Sequence, residues 1–244
     1  MEKLCAICTI KRGLHTGFKN ATIPLGGEKM RNFPFFDTEF GVASLVLKEV
    51  PYRREAYITV LSALQPEELI RECVSFCCMV GAEKIYAKGH GCLETFPLHT
   101  VLYEMRGDAC VEADKVKRLW PVTERTVSQW RTMMNERMAA VDNAATLEAG
   151  DEKRILESGG AYFVHEDGEC LGGFWLDDGE IRLITALVPG AGERVMHTLY
   201  SIIPGAPLRL EVASTNKRAV RFYEKLGFLK VREVSRWYRV FPEK

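Results

Sequence analysis

The sequence has no excess of charge of either sign, because 33 lysines and arginines are matched by 33 aspartates and glutamates over 244 residues. Nucleic acids and anionic membranes attract positive charge, so this balance favours neither as a partner. The sequence also lacks a long uncharged apolar segment, and residues 1–17 combine Glu2 with only a short apolar run before Lys11 and Arg12. We therefore expect a cytoplasmic protein without a signal peptide or membrane anchor.

Metal-binding patterns are equally scarce. Cys5 and Cys8 have the spacing of half a zinc site, but no second C-x-x-C and no paired histidines follow them. Apolar alternation over residues 3–10 favours a strand there instead. We predict no metal site, and we expect the other cysteines to pack as small buried hydrophobic residues.

The most informative stretch is residues 208–228, which reads LRLEVASTNKRAVRFYEKLGF. Its first part alternates Leu208, Leu210 and Val212 with other residues, which predicts a strand with one buried face. The residues from Ser214 to Asn216 are good helix caps, because their short side chains accept from the unpaired amides of a first helical turn. A strand followed directly by a helix is therefore predicted.

The predicted helix has one apolar face and a defined end. Four residues recur at the spacing i, i+3, i+4 and i+7: Ala219, Phe222, Tyr223 and Leu226. Gly227 follows at the position of a left-handed C-terminal cap. Asn216 and Tyr223 are about two turns apart, or about 10 Å along the axis, and should face the same side. An amide and a phenol are thus expected beside a groove at the end of the strand.

This pattern closely resembles the C-terminal signature of the GCN5-related N-acetyltransferase (GNAT) family. In that signature a strand leads to an Asn, an Ala follows three residues later, and an aromatic-Tyr-Glu-Lys-Leu-Gly-Phe run ends the helix. Asn216, Ala219 and residues 222–228 occupy these positions here. The resemblance implies an α/β protein with the acyl-CoA N-acyltransferase fold, a mixed and mostly antiparallel sheet flanked by helices.

Residues 108–244 match the element order that the resemblance implies, and we assign them to an acetyltransferase domain. Apolar spacing predicts two helices and then three strands, at about 125–140, 152–156, 161–165, 169–176 and 180–187. Asp167-Gly168 and Asp178-Gly179 predict tight hairpin turns between the strands. Gly172-Gly173 predicts a bulge or a close backbone contact. We expect an antiparallel meander.

A glycine-containing turn follows the meander and leads into a further predicted helix. Such a turn presents free amides and the positive end of a helix dipole, which is a common way to hold a pyrophosphate. GNAT proteins carry their pyrophosphate loop at this place, although the loop here is shorter than the usual pattern. The resemblance assigns that role to Gly190, Ala191, Gly192, Glu193 and Arg194.

The resemblance also implies acetyl-CoA as cosubstrate and a primary amine as acceptor. Backbone groups of Leu187 and Val188 would pair with the pantetheine arm, on a strand splayed from residues 208–212. Asn216 would bind the pantetheine or hold the splay open, and Tyr223 would protonate the departing thiolate. A thiol of pKa about 8.5 is a fair leaving group, and a phenol of pKa about 10 is protonated at neutral pH.

The attacking amine must lose a proton, since an alkylamine is mostly charged at neutral pH. Glu180, Glu211, His165 and His197 are candidate bases, directly or through water, and the residues alone do not choose among them. A small-molecule or peptide amine fits as acceptor, including an amino acid, a polyamine, an aminoglycoside or a protein N-terminus. The oligomeric state is open, and a homodimer is one state that the sequence allows.

Residues 1–107 predict a smaller first domain with a similar order of elements. Strands are expected near 42–48, 56–64, 84–88 and 99–105, with a helix from Pro66 to about Gly81. Residues 11–37, rich in Gly, Pro, Lys and Asn, predict no clear element. Nothing in this half matches the signature at 216–228, so we interpret it as a degenerate acetyltransferase-like domain that has lost cofactor binding.

Two functions therefore remain after the sequence is read. The first is an acetyl-CoA-dependent N-acetyltransferase that works by direct attack in a ternary complex. The second is a non-catalytic acyl-CoA-binding or regulatory protein on the same fold, because the glycine turn is short and no single base stands out.

Overall fold

The computed structural model describes residues 17–22, 32–109 and 119–241. Their contacts divide the chain into two units. The first contains the described residues up to His99 together with those from Trp237 onward, and the second runs from Thr100 to Arg236. The predicted strand at 3–10, the Cys5–Cys8 pair and the predicted start of the second domain near residue 110 lie outside the described residues.

The first unit is a sheet with a helix against one face. Its elements are β1 (Gly17–Thr22), β2 (Asn32–Thr38), β3 (Gly41–Val46), α1 (Val50–Arg53), β4 (Glu55–Ala63), α2 (Pro66–Met79), β5 (Lys84–Lys88) and a 3₁₀ turn (Gly91–Thr95). The strand order is β1-β2-β3-β4-β5, and residues from Trp237 onward extend it beyond β5. Helix α2 buries Leu69, Cys73 and Cys77 among the apolar residues of β3, β4 and β5.

The second unit is built from the remaining elements. They are β6 (Leu98–Asp108), β7 (Leu119–Pro121), α3 (Val127–Met138), α4 (Glu152–Ser158), β8 (Ala161–Glu166), β9 (Glu169–Asp177), β10 (Glu180–Ala186), α5 (Gly192–Ile202), β11 (Pro207–Ala213), α6 (Lys217–Lys225) and β12 (Leu229–Arg239). A 3₁₀ turn, Ala149–Asp151, precedes α4. The strand order is β12-β6-β11-β10-β9-β8-β7.

Helices cover both faces of this second sheet, as the sequence predicts for the fold. On one face, α5 and α6 pack on the apolar side of β11, where Leu208, Leu210 and Val212 are buried. On the other face, α3 and α4 place Trp130 and Ile155 against residues of β8 and β9. Because each strand alternates its side chains between two faces, one sheet supports both cores.

The predicted meander is confirmed, including its turns. Strands β8, β9 and β10 pair antiparallel in sequence order. Asp167-Gly168 and Asp178-Gly179 have positive φ angles of 50°, 87°, 48° and 70°, as a two-residue hairpin loop requires. The predicted close contact at Gly172 is also present, because a Cβ there would lie 2.1 Å from the carbonyl oxygen of Thr185.

Two features of the first half differ from the sequence-based expectation. Residues 11–37 predict no element, yet β1 and β2 form a hairpin whose second strand pairs with β3. Pairing with a neighbour therefore outweighs weak local propensity. The predicted division between residues 107 and 108 falls at the end of β6, most of which belongs to the second unit. The two-domain organisation itself stays a prediction.

Candidate functional site

The parallel strands β10 and β11 are hydrogen-bonded neighbours at only one register position. Glu180 lies opposite Arg209, and the amide of Arg209 donates to the carbonyl of Gly179 at 2.9 Å. Beyond this pair, no further residues of β10 and β11 are paired with each other. They form a wedge that opens toward their C-terminal ends, where the predicted splay was placed.

Each side of the wedge is held by its other neighbour. Strand β10 pairs with β9 from Glu180 to Ala186, and β11 pairs with β6 from Pro207 to Ala213. The register of β10 shifts between Ile181 and Leu183, so Arg182 is an extra residue in the strand. Such a bulge bends a strand and increases its twist.

The open end of β11 is fixed by hydroxyl groups. The Ser214 hydroxyl accepts from the amide of Val101 at 3.0 Å and lies 3.2 Å from the Thr100 hydroxyl. The Thr100 hydroxyl also lies 3.3 Å from that of Thr215, and Thr100 is only 1% exposed. These bonds tie the turn before α6 to β6, so the start of α6 has a fixed place relative to the wedge.

Helix α6 begins and ends as the sequence predicts. The Asn216 side-chain oxygen accepts from the amide of Ala219 at 3.1 Å, which caps the first turn. At the other end Gly227 has φ of +86°, its amide donates to Glu224, and the amide of Phe228 donates to Tyr223. This pair of bonds is a Schellman motif. The signature run therefore has a structural role as well as a candidate chemical one.

Tyr223 lies in the core on the α5–α6 side of the sheet. Its side chain is 9% exposed, and its ring lies 5.5 Å from that of Phe222 and 5.8 Å from that of Phe228. Burial raises the pKa of the Tyr223 phenol well above its ordinary value, and the nearby Tyr200 phenol raises it further. The hydroxyl therefore holds its proton through the neutral range.

The glycine-containing turn has the conformation needed to start a helix directly after β10. Gly190 has φ of +82°, and the amide of Ala191 donates to the carbonyl of Val188 at 3.1 Å. The amides of Gly192, Glu193 and Arg194 form the first turn of α5, where amides have no acceptor within the helix. These amides are the candidate donors to an anion.

The charged side chains of this turn form ion pairs with oppositely charged neighbours. Arg194 forms an ion pair with Glu166, and Glu193 forms one with Lys225 of α6. The bond from Lys225 lowers the pKa of Glu193 below its ordinary value. Arg194 therefore adds less positive charge than the sequence suggested. A Cβ at Gly192 would lie 3.4 Å from Phe222, so this turn and α6 are adjacent.

The backbone of Leu187 is already engaged on both sides. Its amide donates to the carbonyl of Leu171 at 2.8 Å, and its carbonyl accepts from Arg137 at 2.9 Å. The assignment of Leu187 and Val188 to a pantetheine arm stays a prediction, and at the Leu187 carbonyl the ligand would share the oxygen with Arg137 or displace it. Arg137 lies on α3, and nothing in its sequence context indicated this contact.

The four candidate bases fall in three places. Glu180 and Glu211 line a small cavity at the narrow end of the wedge. The His165 ring lies 4.8 Å from that of Trp120 in a tilted arrangement, and its Nδ1 is buried without a hydrogen-bond partner. His197 is exposed on α5, 6.0 Å from the ring of Tyr200. The structure thus brings only the two glutamates together beside the strand pair.

Three residues of this region were not selected from the sequence. Thr100 contacts Thr215 just before Asn216, Tyr200 lies beside Tyr223, and Arg137 contacts Leu187. Thr100 and Arg137 come from β6 and α3, far away in sequence, and Tyr200 comes from α5, which directly precedes β11. No local pattern marks such neighbours, because only the packing of these elements brings them together.

The described ranges contain neither a metal-binding cluster of side chains nor a helix that could span a membrane. Within residues 17–22, 32–109 and 119–241, no group of three His, Cys, Asp or Glu side chains is placed to hold a metal ion. No helix in these same ranges is long and apolar enough to cross a lipid bilayer.

Comparison with known proteins gives a structural match without a sequence match. No protein-family model and no curated protein matches the chain. A GCN5-related N-acetyltransferase from Anabaena variabilis superposes with a TM-score of 0.54 at 10% identity, covering 84% of this chain and 61% of its own. One from Sphaerobacter thermophilus gives 0.51 at 10% identity, covering 83% and 78%.

A protein of unknown function from Staphylococcus epidermidis is similar to the same degree, with a TM-score of 0.52 at 11% identity, covering 83% of this chain and 91% of its own. Likeness at such low identity concerns the course of the backbone and not the ligand or the reaction. The predicted fold class is confirmed: the chain has the mixed α/β fold of the GCN5-related N-acetyltransferases.

Proposed function

We propose that the chain is a member of the GNAT family that transfers an acetyl group from acetyl-CoA to a primary amine. The observation that carries the proposal is the wedge between β10 and β11. These strands share the single pair Glu180–Arg209 and then diverge beside α6, the capped helix that contains Tyr223. The fold and the signature at residues 216–228 support it independently of each other. A slot between diverging strands gives an extended thioester backbone groups to pair with.

The residues around the wedge suit direct transfer without a covalent enzyme intermediate. The amine nitrogen attacks the thioester carbonyl, the carbon–nitrogen bond forms, the carbon–sulfur bond breaks, and one amine proton passes to a base. Tyr223 donates a hydrogen bond to the departing sulfur. The pKa of a phenol is above that of a thiol, and burial raises that of Tyr223 further, so the phenol stabilises the thiolate while largely keeping its own proton.

The glycine-containing turn would hold the pyrophosphate of the cosubstrate. The first-turn amides of α5, from Gly192 to Arg194, supply donors and the positive end of the helix dipole. Arg221 is exposed on α6, next in sequence to the Phe222 that lies beside this turn, and adds positive charge there. Together they support a ligand with several phosphate oxygens.

Isothermal titration of the full chain with acetyl-CoA tests the proposal directly. We expect saturable binding, followed by release of free thiol when a panel of primary amines is added. Desulfo-CoA serves as a binding control that lacks the reacting sulfur. Failure of acetyl-CoA both to bind and to raise the melting temperature would reject the proposal.

A second function is favoured by specific contacts. Tyr223 is 9% exposed, the Leu187 carbonyl is occupied by Arg137, and the charge of Arg194 is offset by Glu166. These contacts fit a protein that binds acyl-CoA weakly, or as a signal, without turnover. Binding of acetyl-CoA with no thiol release across the amine panel would favour this function over catalysis.

For the first half, we propose a degenerate acetyltransferase-like domain that no longer binds the cofactor. Strands β4 and β5 are joined through α2, as β10 and β11 are joined through α5. Unlike that pair, β4 and β5 stay in register from Glu55 opposite Lys84 to Thr59 opposite Lys88. Parallel strands paired in this way leave no wedge for a thioester.

A further inference from the structure

The segment between α3 and the next 3₁₀ turn, residues 139–148, contains an asparagine whose side chain is unpaired. Both polar atoms of the Asn143 side chain, the amide oxygen and the amide nitrogen, are shielded from solvent and have no hydrogen-bond partner within the described ranges. Nearly all buried polar groups in folded proteins are paired, because an unpaired one is unfavourable. Asn143 therefore carries a donor and an acceptor that are available to a ligand.

The backbone at Asn143 explains the residue type but not the unpaired side chain. The amide of Ala144 donates to the carbonyl of Val141 at 3.2 Å, which closes a four-residue turn. Asn143 is the third residue of this turn and has φ of +59°. Asparagine tolerates this left-handed conformation better than most residues with a side chain. Glycine would meet the same requirement without a buried amide, so the turn alone does not account for Asn143.

A second asparagine shows what such an amide can bind. Asn135, on α3, donates from its amide nitrogen to the carbonyl of Leu147 at 2.9 Å and accepts from the amide of Leu147 at 2.9 Å. One asparagine side chain thus matches the N–H and the C=O of one backbone residue. Asn143 has the same donor and acceptor. The ligand chemistry that is complementary to it is therefore that of a peptide.

The turn begins at the end of α3 that contacts the open end of the wedge. Arg137, in the last turn of α3, donates to the carbonyl of Leu187, the residue that directly follows β10, at 2.9 Å. The amide of Val141 donates to the carbonyl of Met138 at 2.9 Å, so the chain folds back as soon as α3 ends. The turn 141–144 consequently stays close to Arg137 and to the end of β10.

We propose that the turn 141–144 opens to bind a peptide acceptor, and that Asn143 pairs with the N–H and the C=O of the second residue of that peptide. The inference rests on the proposed function, since it identifies the class of amine that attacks the thioester. The first residue of the peptide then extends toward the wedge with its free amine. Asn143 transfers no proton: it positions the peptide, and the bonds that form and break are those of the proposed reaction.

The turn has to open, because neither amide atom of Asn143 is in contact with solvent. Both ends of the segment are fixed, one by α3 and the other by the bonds between Leu147 and Asn135, so we expect the movement to be confined to residues 139–146. The unpaired amide destabilises the closed turn, which lowers the free energy needed to open it. The open turn presents the amide to the backbone of the peptide.

A matched pair of acceptors tests the proposal. Alanyl-alanine amide has the N–H of its second residue, whereas in its ester analogue an oxygen atom replaces that N–H and the remaining atoms are the same. Thiol release from acetyl-CoA is measured with both acceptors. We expect kcat/KM to be at least about fivefold higher for the peptide, because the ester leaves the amide oxygen of Asn143 unpaired.

Asn143→Gly assigns this preference to the side chain. Glycine keeps the positive φ and removes the amide, so the variant should fold. We expect the two acceptors to differ by no more than about twofold in this variant, mainly through a higher KM for the peptide. The melting temperature should rise by about 2–4 °C, because the unpaired amide is gone. An asparagine with a structural role alone would not combine higher stability with weaker peptide binding.

Asp167→Gly is the matched control, since Asp167 is an exposed turn residue with φ of +50°. It should keep the preference for the peptide over the ester. Its change in melting temperature gives the effect of placing glycine at a left-handed position without removing a buried amide. The rise in Asn143→Gly should exceed this control value.

The outcomes separate this inference from the function on which it rests. Turnover without a preference for the peptide, or a preference that survives Asn143→Gly, overturns the inference and leaves the proposed function standing. Higher stability of Asn143→Gly with an unchanged preference also overturns it, and would show that the amide binds only an internal water. Absence of acetyl-CoA binding overturns both. If acetyl-CoA binds without turnover, failure of the CoA-loaded chain to bind alanyl-alanine amide more tightly than the ester overturns the inference alone.

Discussion

Tyr223 has two roles at the scale of a single residue, and they depend on different atoms. Its ring packs 5.8 Å from that of Phe228 across the Schellman motif that ends α6, and this contact needs only the aromatic ring. The proposed contact with a departing thiolate needs the hydroxyl. The signature run is therefore explained in part by helix termination, and the hydroxyl alone distinguishes chemistry from packing.

Tyr223→Phe separates the two roles. We expect kcat for acetyl transfer to fall by about 10²–10⁴-fold, because a hydrogen-bond donor to the leaving sulfur is lost. The ring contact remains, so the free energy of unfolding should change by no more than about 1.5 kcal/mol. Steady-state thiol release and urea unfolding measure the two effects.

Tyr162→Phe is the matched control, since Tyr162 packs against the same core from β8. Its turnover should match that of the unmodified chain. Equal turnover in Tyr223→Phe and the unmodified chain would remove Tyr223 from the reaction and leave only its part in ending α6.

Glu104, which lines the same cavity as Glu180 and Glu211, links the charge of that cavity to the pH dependence of stability. Hydrogen bonds from Arg232 and Arg106 lower the pKa of Glu104 in the folded chain, whereas the pKa of a glutamate in an unfolded chain is about 4.3. The folded state therefore binds this proton less readily than the unfolded state. The stabilisation is present above about pH 4.3 and is lost as the pH falls through the lowered pKa.

Glu104→Gln should remove this contribution. We expect the variant to be less stable than the unmodified chain near neutral pH, with a difference that narrows as the solution is acidified below about pH 4.3. Urea unfolding over a series of pH values measures it. Two stability curves that run parallel through the acid range would show that the paired arginines do not hold Glu104 ionised.

At the scale of an element, the N-terminus of α6 shows how a helix cap and a ligand contact can be confused. The Asn216 oxygen accepts from the Ala219 amide, so its capping function is present in the structure. The assignment of its amide group to a pantetheine arm stays a prediction. The two roles use the oxygen and the nitrogen of one side chain.

A pair of substitutions at this position tells them apart. Asn216→Ala should lower the free energy of unfolding by about 1 kcal/mol, or about 2–4 °C in melting temperature, through loss of the cap. Asn216→Asp keeps a capping oxygen and should be as stable as the unmodified chain. Neither variant has a side-chain N–H, so a lower affinity for acetyl-CoA in both would assign the amide to the ligand.

Thermal unfolding and titration with acetyl-CoA give the two measurements. Equal acetyl-CoA affinity in Asn216→Asp and the unmodified chain would contradict a ligand contact by the amide nitrogen. Phosphate should repel the carboxylate of the Asn216→Asp variant little, because the glycine-containing turn that we propose for the pyrophosphate lies beside Phe222 and Lys225, at the other end of α6.

Sequence patterns predicted those elements that are specified by residues close together in the chain. The strand and helix at 207–225 carry their own alternation, cap and terminal glycine, and the Asp-Gly turns fix the β8–β10 meander. Each of these signals lies within a few residues of the feature it predicts. The assignment of Asn216 and Tyr223 to one element followed from the same local evidence.

The other parts of the fold and the cavity depend on contacts between elements far apart in the sequence. The hairpin of β1 and β2 and the place of β6 beside β11 follow from sheet pairing, which residues 11–37 and 98–108 do not encode locally. The cavity was missed for the same reason, since Glu104 and Arg232 come from β6 and β12. The sequence indicated only Glu180 and Glu211 of its lining, as candidate bases.

At the scale of the whole molecule, the chain repeats one motif with two outcomes. A parallel strand pair joined by a helix occurs as β4–α2–β5 and as β10–α5–β11. In the first copy the strands stay in register from Glu55–Lys84 to Thr59–Lys88, and in the second they meet only at Glu180–Arg209. Only the second copy leaves unpaired backbone between its strands for a ligand.

This asymmetry predicts one acetyl-CoA per chain. Isothermal titration of the full chain should give a stoichiometry near one, and the bound ligand should stabilise the protein by about 2.7 kcal/mol at a concentration of 100 times its Kd.

Gly192→Glu, which adds an acidic side chain to the first turn of α5, should abolish this binding because it repels phosphate. Glu68→Gln, in the first turn of α2, is the control and should leave binding unchanged. A stoichiometry near two, or binding that survives Gly192→Glu, would show that the register of β4 and β5 does not exclude the ligand and that the wedge does not select the site.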